Sequence, residues 1–211
     1  YVRRALRILP ASYVFLACMT LAGVAGLITW GPGQVREVLV AAVYGTNMLA
    51  HGTWPFGHLW SLAIEEQFYL LWPFMLVWLG TAASMRAALD VAVLSAPLLA
   101  ALQAAGSSWF GTAVRLFPFA ADAIAAGCVL AAVLPWLRRT GWIGHRVFTS
   151  GAGHLIPLLV IAADVLRHHP RLYYGLIDPL QNAGICYALA RYTSFPDDAV
   201  ARALNGAPMR A

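Results

Sequence analysis

The sequence predicts an all-α protein, a polytopic bundle of about six transmembrane helices plus a short interfacial helix in a single domain over residues 1–211. Composition is the first observation behind this. The chain is 61% hydrophobic and 11% charged, where a soluble domain carries about 25% charged residues. Mean hydropathy is +0.69. Periodicity of charge is the second: charge-poor runs of about 17–25 residues recur, as a hydrocarbon core of about 30 Å requires. The third is the basic residues, which number 14 and are all arginine, dispersed among the runs. Against 9 acidic residues they give +5, too small and scattered to serve nucleic acid. A lipid bilayer is the partner this composition implies, in a cell (inner or plasma) membrane crossed several times.

The chain opens on Tyr1 and closes on Met209-Arg210-Ala211, and reads as the interior of a longer protein, incomplete at both ends. Tyr1 to Pro10, YVRRALRILP, forms a basic turn before the first apolar run. Arg3, Arg4 and Arg7 fall on one helical face there. They anchor topology, or they clamp phosphates, which guanidinium forks bind bidentately. Ala11–Trp30 is long enough to span and ends at Gly31-Pro32-Gly33; Glu37–Leu49 is a shorter, interfacial helix. Asn47, Thr53 and the Trp54-Pro55-Phe56-Gly57 turn lead into a central helix from His58 to about Leu79. A span over about 87–104 follows, broken at Gly106-Ser107-Ser108. The next, over about 117–137, stops at Arg138-Arg139, and two more lie at about 150–166 and 172–190. With Arg3 on the cytoplasmic side, alternation puts ten arginines there and leaves Arg36, Arg115, Arg167 and Arg171 outside.

Chemistry concentrates in the central helix. A period of 3.6 places His58, Ser61, Glu65, Phe68 and Trp72 on one stripe, with Glu66 about 100° round beside Leu62, Tyr69 and Leu70. Carboxylates inside a membrane cost about 2.5–3.5 kcal/mol each, so they face a partner or a wet cavity. Glu65 and Glu66 are expected near mid-bilayer. Glu65 is the primary candidate for acid–base work, and Glu66 either joins it or neutralises a buried guanidinium. Ser61 is a candidate nucleophile, although a serine in an apolar helix more often bonds back to a carbonyl. His58 is an acid–base candidate at the helix mouth or an interfacial residue. Asp122, Asp164 and Asp178 read as helix-pairing groups. His51, His145, His154, His168 and His169 have no metal-ligand spacing, and Cys18, Cys128 and Cys186 lie far apart, so no metal site is expected.

Trp60-Ser61-Leu62, Glu65-Glu66-Gln67-Phe68-Tyr69 and Trp72-Pro73 resemble the most recognisable motif of acyltransferase family 3, membrane O-acyltransferases that decorate surface polysaccharides and other exported molecules. Arg-Arg-x-x-Arg-Ile-x-Pro, with Arg4, Arg7, Pro10 and Tyr13 in step, is similar to a second motif of that family. Thr112, Asp122 and Gly127 resemble a third, in which an arginine precedes the aspartate by two positions; here that position is Ala120, with Arg115 upstream. The resemblance implies acyl-CoA as donor, often acetyl-CoA, and a saccharide or lipid-linked hydroxyl as acceptor, with no bound cofactor. It implies donor binding by Arg4 and Arg7, catalysis by Glu65 with Ser61 and His58, and a pocket of Trp60, Glu66, Phe68, Tyr69 and Asn47. In the family a catalytic histidine lies in a helix ahead of the arginine motif, and further helices close the bundle. On physics alone a transporter with Glu65 and Glu66 on a solute or proton path, or a non-catalytic membrane scaffold, fits the same residues.

Overall fold

A computed structural model describes residues 2–29, 31, 33–49, 55–163, 165 and 173–204, with the backbone alone at 2–5, 161 and 204. All regular structure among the described residues is helical. The chain divides into two compact units, Tyr1–Phe74 with Gly111–Ala120, and Met75–Phe110 with Ala121–Ala211.

In the first unit α1 runs over Val2–Val24. The expected basic turn is therefore the start of the helix itself: Arg, Ala and Leu are good helix formers, and Pro10 costs one hydrogen bond without stopping them. The helix ends well before Gly31. Gly26, at φ 71, takes the left-handed position, and Leu27 N–H bonds Ala22 C=O at 2.9 Å while Gly26 N–H bonds Gly23 C=O at 3.1 Å. That pair of bonds satisfies carbonyls a helix end leaves open. Helix α2, Gln34–Ala42, starts and stops earlier than expected and gives way to a 3₁₀ turn at Thr46–Met48. Two hydroxyls of α1 reach this region: Tyr13 donates to Ala42 C=O at 2.8 Å, and Ser12 lies 2.7 Å from the Tyr44 hydroxyl. Leu16, Ala41 and Phe56 form the core beneath, with Phe15 and Met19 against it.

Helix α3, Leu59–Ala104, passes from the first unit into the second. Gly80 breaks it at φ 76, ψ 167, a backbone conformation only glycine takes readily, so the predicted end near Leu79 is where the helix is interrupted. The fully buried Ser84 hydroxyl donates to the Gly80 carbonyl at 2.8 Å and satisfies it at the break. The far end stops at Gly106, where Gly106 N–H and Ser107 N–H reach back to Gln103 and Leu102, as the Gly106-Ser107-Ser108 signal predicts.

Among the described residues two helices are long and apolar enough to cross a membrane, Leu6–Val24 and Leu59–Ala104. Because of Gly80, residues 59–79 and 81–104 would each reach about 30 Å at the helical rise. The rest of the predicted spans are shorter helices. A one-turn helix at Phe117–Ala120 precedes α4, Asp122–Arg139, which stops at the arginines as predicted. Helix α5 is Leu155–Ala163, preceded by a 3₁₀ turn at Gly151–His154. Helix α6 is Asp178–Ser194, entered through a π-helical turn at Tyr173–Ile177. His51, Trp54, Asp164, Arg167, His168, His169 and Arg171 lie outside the described residues.

In the second unit α6 packs on α4 and α5. Asp122 does what a buried carboxylate between helices must: it accepts from Asn182 Nδ2 at 2.6 Å, the pairing role read from the sequence. At the end of α6 the buried Arg191 ties the preceding loop together. It donates to the carbonyls of Phe148 and Ser150, to His154 Nε2 at 3.0 Å, and to Asp198 Oδ2 at 3.1 Å. Partial burial opposes the charge on Asp198, but Val200 N–H, Arg191 and His154 outweigh it and hold the carboxyl below its ordinary 3.8. A depressed carboxyl stabilises the fold fully above its unfolded pKa and loses that contribution as pH falls through its folded one. Acid titrations of unfolding should therefore show Asp198→Asn less stable than wild type near neutrality, with the gap closing below about pH 3.8. A gap that persists in acid would mean Asp198 acts without its charge.

Candidate active site

The site is built on the first turns of α3. The helix starts at Leu59, so Glu65 lies six residues, about 9 Å, along it. The predicted stripe is a gradient. His58, Ser61 and Glu65 are exposed, Trp72 is half-buried and Phe68 is 6% exposed. At its deep end Phe68 stacks on Trp72, with centroids 5.3 Å apart, and meets Tyr69 edge-on and Phe117 tilted, both at 6.2 Å. This is the aromatic floor expected beneath the carboxylates. Tyr69 is half-buried, and Trp60 is exposed at the rim.

At the mouth, His58 packs edge-on against Phe15 of α1, centroids 5.3 Å apart. The Ser61 hydroxyl donates to the His58 carbonyl at 3.2 Å, the backbone bond an apolar-helix serine usually makes.

Glu66 differs from Glu65. Its side chain is partly buried, and Oε1 is fully shielded from solvent with no hydrogen-bond partner among the described residues. A buried acceptor left unpaired costs about 1–3 kcal/mol, more when charged, so such an atom calls for a missing donor.

Next to it is a residue that sequence reasoning left out of the site. Gln67 and Asn47 bond each other reciprocally: Gln67 Nε2 donates to Asn47 Oδ1 at 2.8 Å, and Asn47 Nδ2 donates to Gln67 Oε1 at 3.2 Å. Gln67 Nε2 also donates to Tyr44 C=O at 2.9 Å. Asn47, a pocket residue by the family resemblance, is 3% exposed, and its amide is engaged in this brace. Tyr44 sits at φ 53, the one non-glycine with positive φ among the described residues, in a helix-end closure where glycine is usual. That strained backbone supplies the carbonyl Gln67 grips. The sequence signal for the brace was Gln67 falling on the face of the fully buried Ala63 and Ile64, where an amide has to find a partner.

Arg115 donates from Nη1 to Leu49 C=O at 3.3 Å, next to the same 3₁₀ turn. Arg7 is exposed on α1; the Arg4 side chain lies outside the described atoms, although its backbone belongs to the same helix. No group of three or more His, Cys, Asp or Glu suited to a metal occurs among the described residues.

No family model and no solved structure matches the chain. Curated proteins do. It is 32% identical over 134 residues to the peptidoglycan O-acetyltransferase OatA of Listeria monocytogenes, covering 57% of this chain and 21% of that protein. It is 30% identical over 166 residues to YrhL of Bacillus subtilis, provisionally named a peptidoglycan O-acetyltransferase, covering 65% of this chain and 24% of that protein. The chain spans about a quarter or less of the length of these relatives, and over that part it is similar to peptidoglycan O-acetyltransferases.

Proposed function

We propose that the protein is a membrane O-acetyltransferase, moving an acyl group from acyl-CoA to a hydroxyl of a cell-wall saccharide or lipid-linked acceptor. The observation that carries this reading is Glu66, whose shielded Oε1 has no partner among the described residues, on a helix pinned by Asn47 and Gln67 in a chain similar to peptidoglycan O-acetyltransferases. An acceptor hydroxyl is a donor that would satisfy Oε1. As the hydroxyl oxygen attacks the thioester carbonyl, the O–C bond forms and Glu66 takes the proton. The C–S bond then breaks, and the proton passes to the departing thiolate, restoring the carboxylate. Glu65 and His58, at the exposed mouth, position the acceptor. Phe68, Tyr69 and Trp72 form the floor, and Trp60 the rim. Arg4 and Arg7 of α1 hold the donor's phosphates on the cytoplasmic side.

In the bilayer this reading takes α1, the two segments of α3 on either side of Gly80, and the regions around α4, α5 and α6 as about six spans, with α2 interfacial. Membranes carrying the full-length protein, supplied with acetyl-labelled acetyl-CoA and cell-wall saccharide fragments, should transfer label as an alkali-labile ester. Solute or proton flux without ester would assign the protein to transport instead. Arg4→Ala combined with Arg7→Ala should raise the donor KM at least about tenfold and leave the acceptor KM nearly unchanged. An unmoved donor KM would return both arginines to topology anchoring.

A further inference from the structure

A second feature with ligand chemistry lies in the second unit. Three helices line a groove there. From the second segment of α3 come Arg86, Leu89, Asp90 and Val93; from α4, Ala126, Val129 and Val133; from α6, Pro179, Asn182 and Ala183. Leu89, Val129 and Val133 border both its polar part, at Arg86 and Asp90, and its apolar part, so the two are continuous. The apolar walls follow stripes from 86 to 93 and from 126 to 133, about 10 Å of groove by the helical rise. Leu89 and Val93 remain 46% and 57% exposed along it. A bilayer protein leaves such a slot to a lipid chain.

The mouth identifies the headgroup. Arg86 and Asp90 are both exposed, and among the described residues neither makes an ion pair or side-chain hydrogen bond. They stand four residues apart on one helical face, about 5–6 Å between Cβ atoms, with the cation N-terminal, the less favourable order for pairing with each other. An unpaired aspartate beside an apolar groove needs a cationic partner, and the arginine beside it an anionic one. Together they carry no net charge, which suits a zwitterion better than an anion. We infer that this groove binds one acyl chain of an aminophospholipid of the phosphatidylethanolamine class, its phosphate on Arg86 and its ammonium on Asp90.

The inference goes beyond acyl transfer and rests on the membrane location alone. The full-length protein, reconstituted in nanodiscs of equal phosphatidylethanolamine and phosphatidylglycerol and then released, should retain phosphatidylethanolamine in clear excess by native mass spectrometry. Asp90→Asn should abolish or invert that preference, and Arg86→Gln should reduce retention of both lipids about tenfold, as loss of a charge-assisted hydrogen bond does. Ala126→Phe should fill the groove and lose both. The two charge variants alter exposed residues, so they test the site even if the phenylalanine variant fails to fold. Preferential retention of phosphatidylglycerol by wild type, or wild-type retention by Asp90→Asn and Arg86→Gln, would overturn the assignment. Failure to enter the discs would remove the membrane reading and the groove together; insertion without preference would remove the groove alone.

Discussion

Glu66→Gln in the full-length protein should reduce acetyl transfer by about 10²–10⁴-fold, the usual contribution of a positioned general base. The substitution keeps the shape and partial burial of the side chain, so membrane insertion and thermal stability should survive. It removes the capacity of Oε1 to take a proton, the one property the buried, unpaired oxygen offers. Glu65→Gln provides the contrast. Glu65 is exposed on the His58–Ser61–Glu65 stripe, so its loss should raise the acceptor KM more than it lowers kcat. The reverse pattern, a dead Glu65→Gln beside an active Glu66→Gln, would move the chemistry to the neighbouring carboxylate. Normal turnover by both would take the pair out of the reaction.

The second large effect concerns the brace. Gln67→Ala should destabilise the protein by about 2–4 kcal/mol, because it deletes three hydrogen bonds and strands the buried Asn47 amide. Asn47→Leu alone should cost a similar amount by stranding Gln67. The double variant should be less destabilised than the sum of the two, with a coupling of about 1–3 kcal/mol in unfolding measured in detergent. Additive costs would show that the two amides do not depend on each other. Activity should fall with the brace even where folding is rescued at low temperature, since Glu66 neighbours Gln67 on the same turn and a small rotation of the helix would swing Oε1 away from its acceptor.

Much of this was legible because the deciding signals were local. Gly106 and the Arg138-Arg139 pair end helices where the sequence places their ends, since a glycine cap and a charged helix end need no knowledge of the rest of the chain. Period 3.6 likewise predicts the stripe from His58 to Trp72, and the aromatic floor lies where that stripe turns inward. The misreadings came from competing or distant signals. Gly31-Pro32-Gly33 is a louder stop than Gly26, yet Gly26 comes first and closes α1. Asn47 and Gln67 are twenty residues apart and join only in the folded chain, and Tyr44, whose carbonyl Gln67 also grips, adopts a left-handed backbone for which a tyrosine carries no local signature. The difference between Glu65 and Glu66 was hidden for the same reason: both fit the helix, and only tertiary packing separates an exposed carboxylate from one with a shielded oxygen.

The most direct measurement is single-turnover release of the CoA thiol from acetyl-CoA by the full-length protein, with and without a saccharide hydroxyl acceptor, wild type beside Glu66→Gln. The expected result is acceptor-dependent thiol release by wild type that is lost in the variant while acetyl-CoA binding is unchanged. Equal, acceptor-dependent release by both proteins would contradict the assignment of the reacting proton to Glu66.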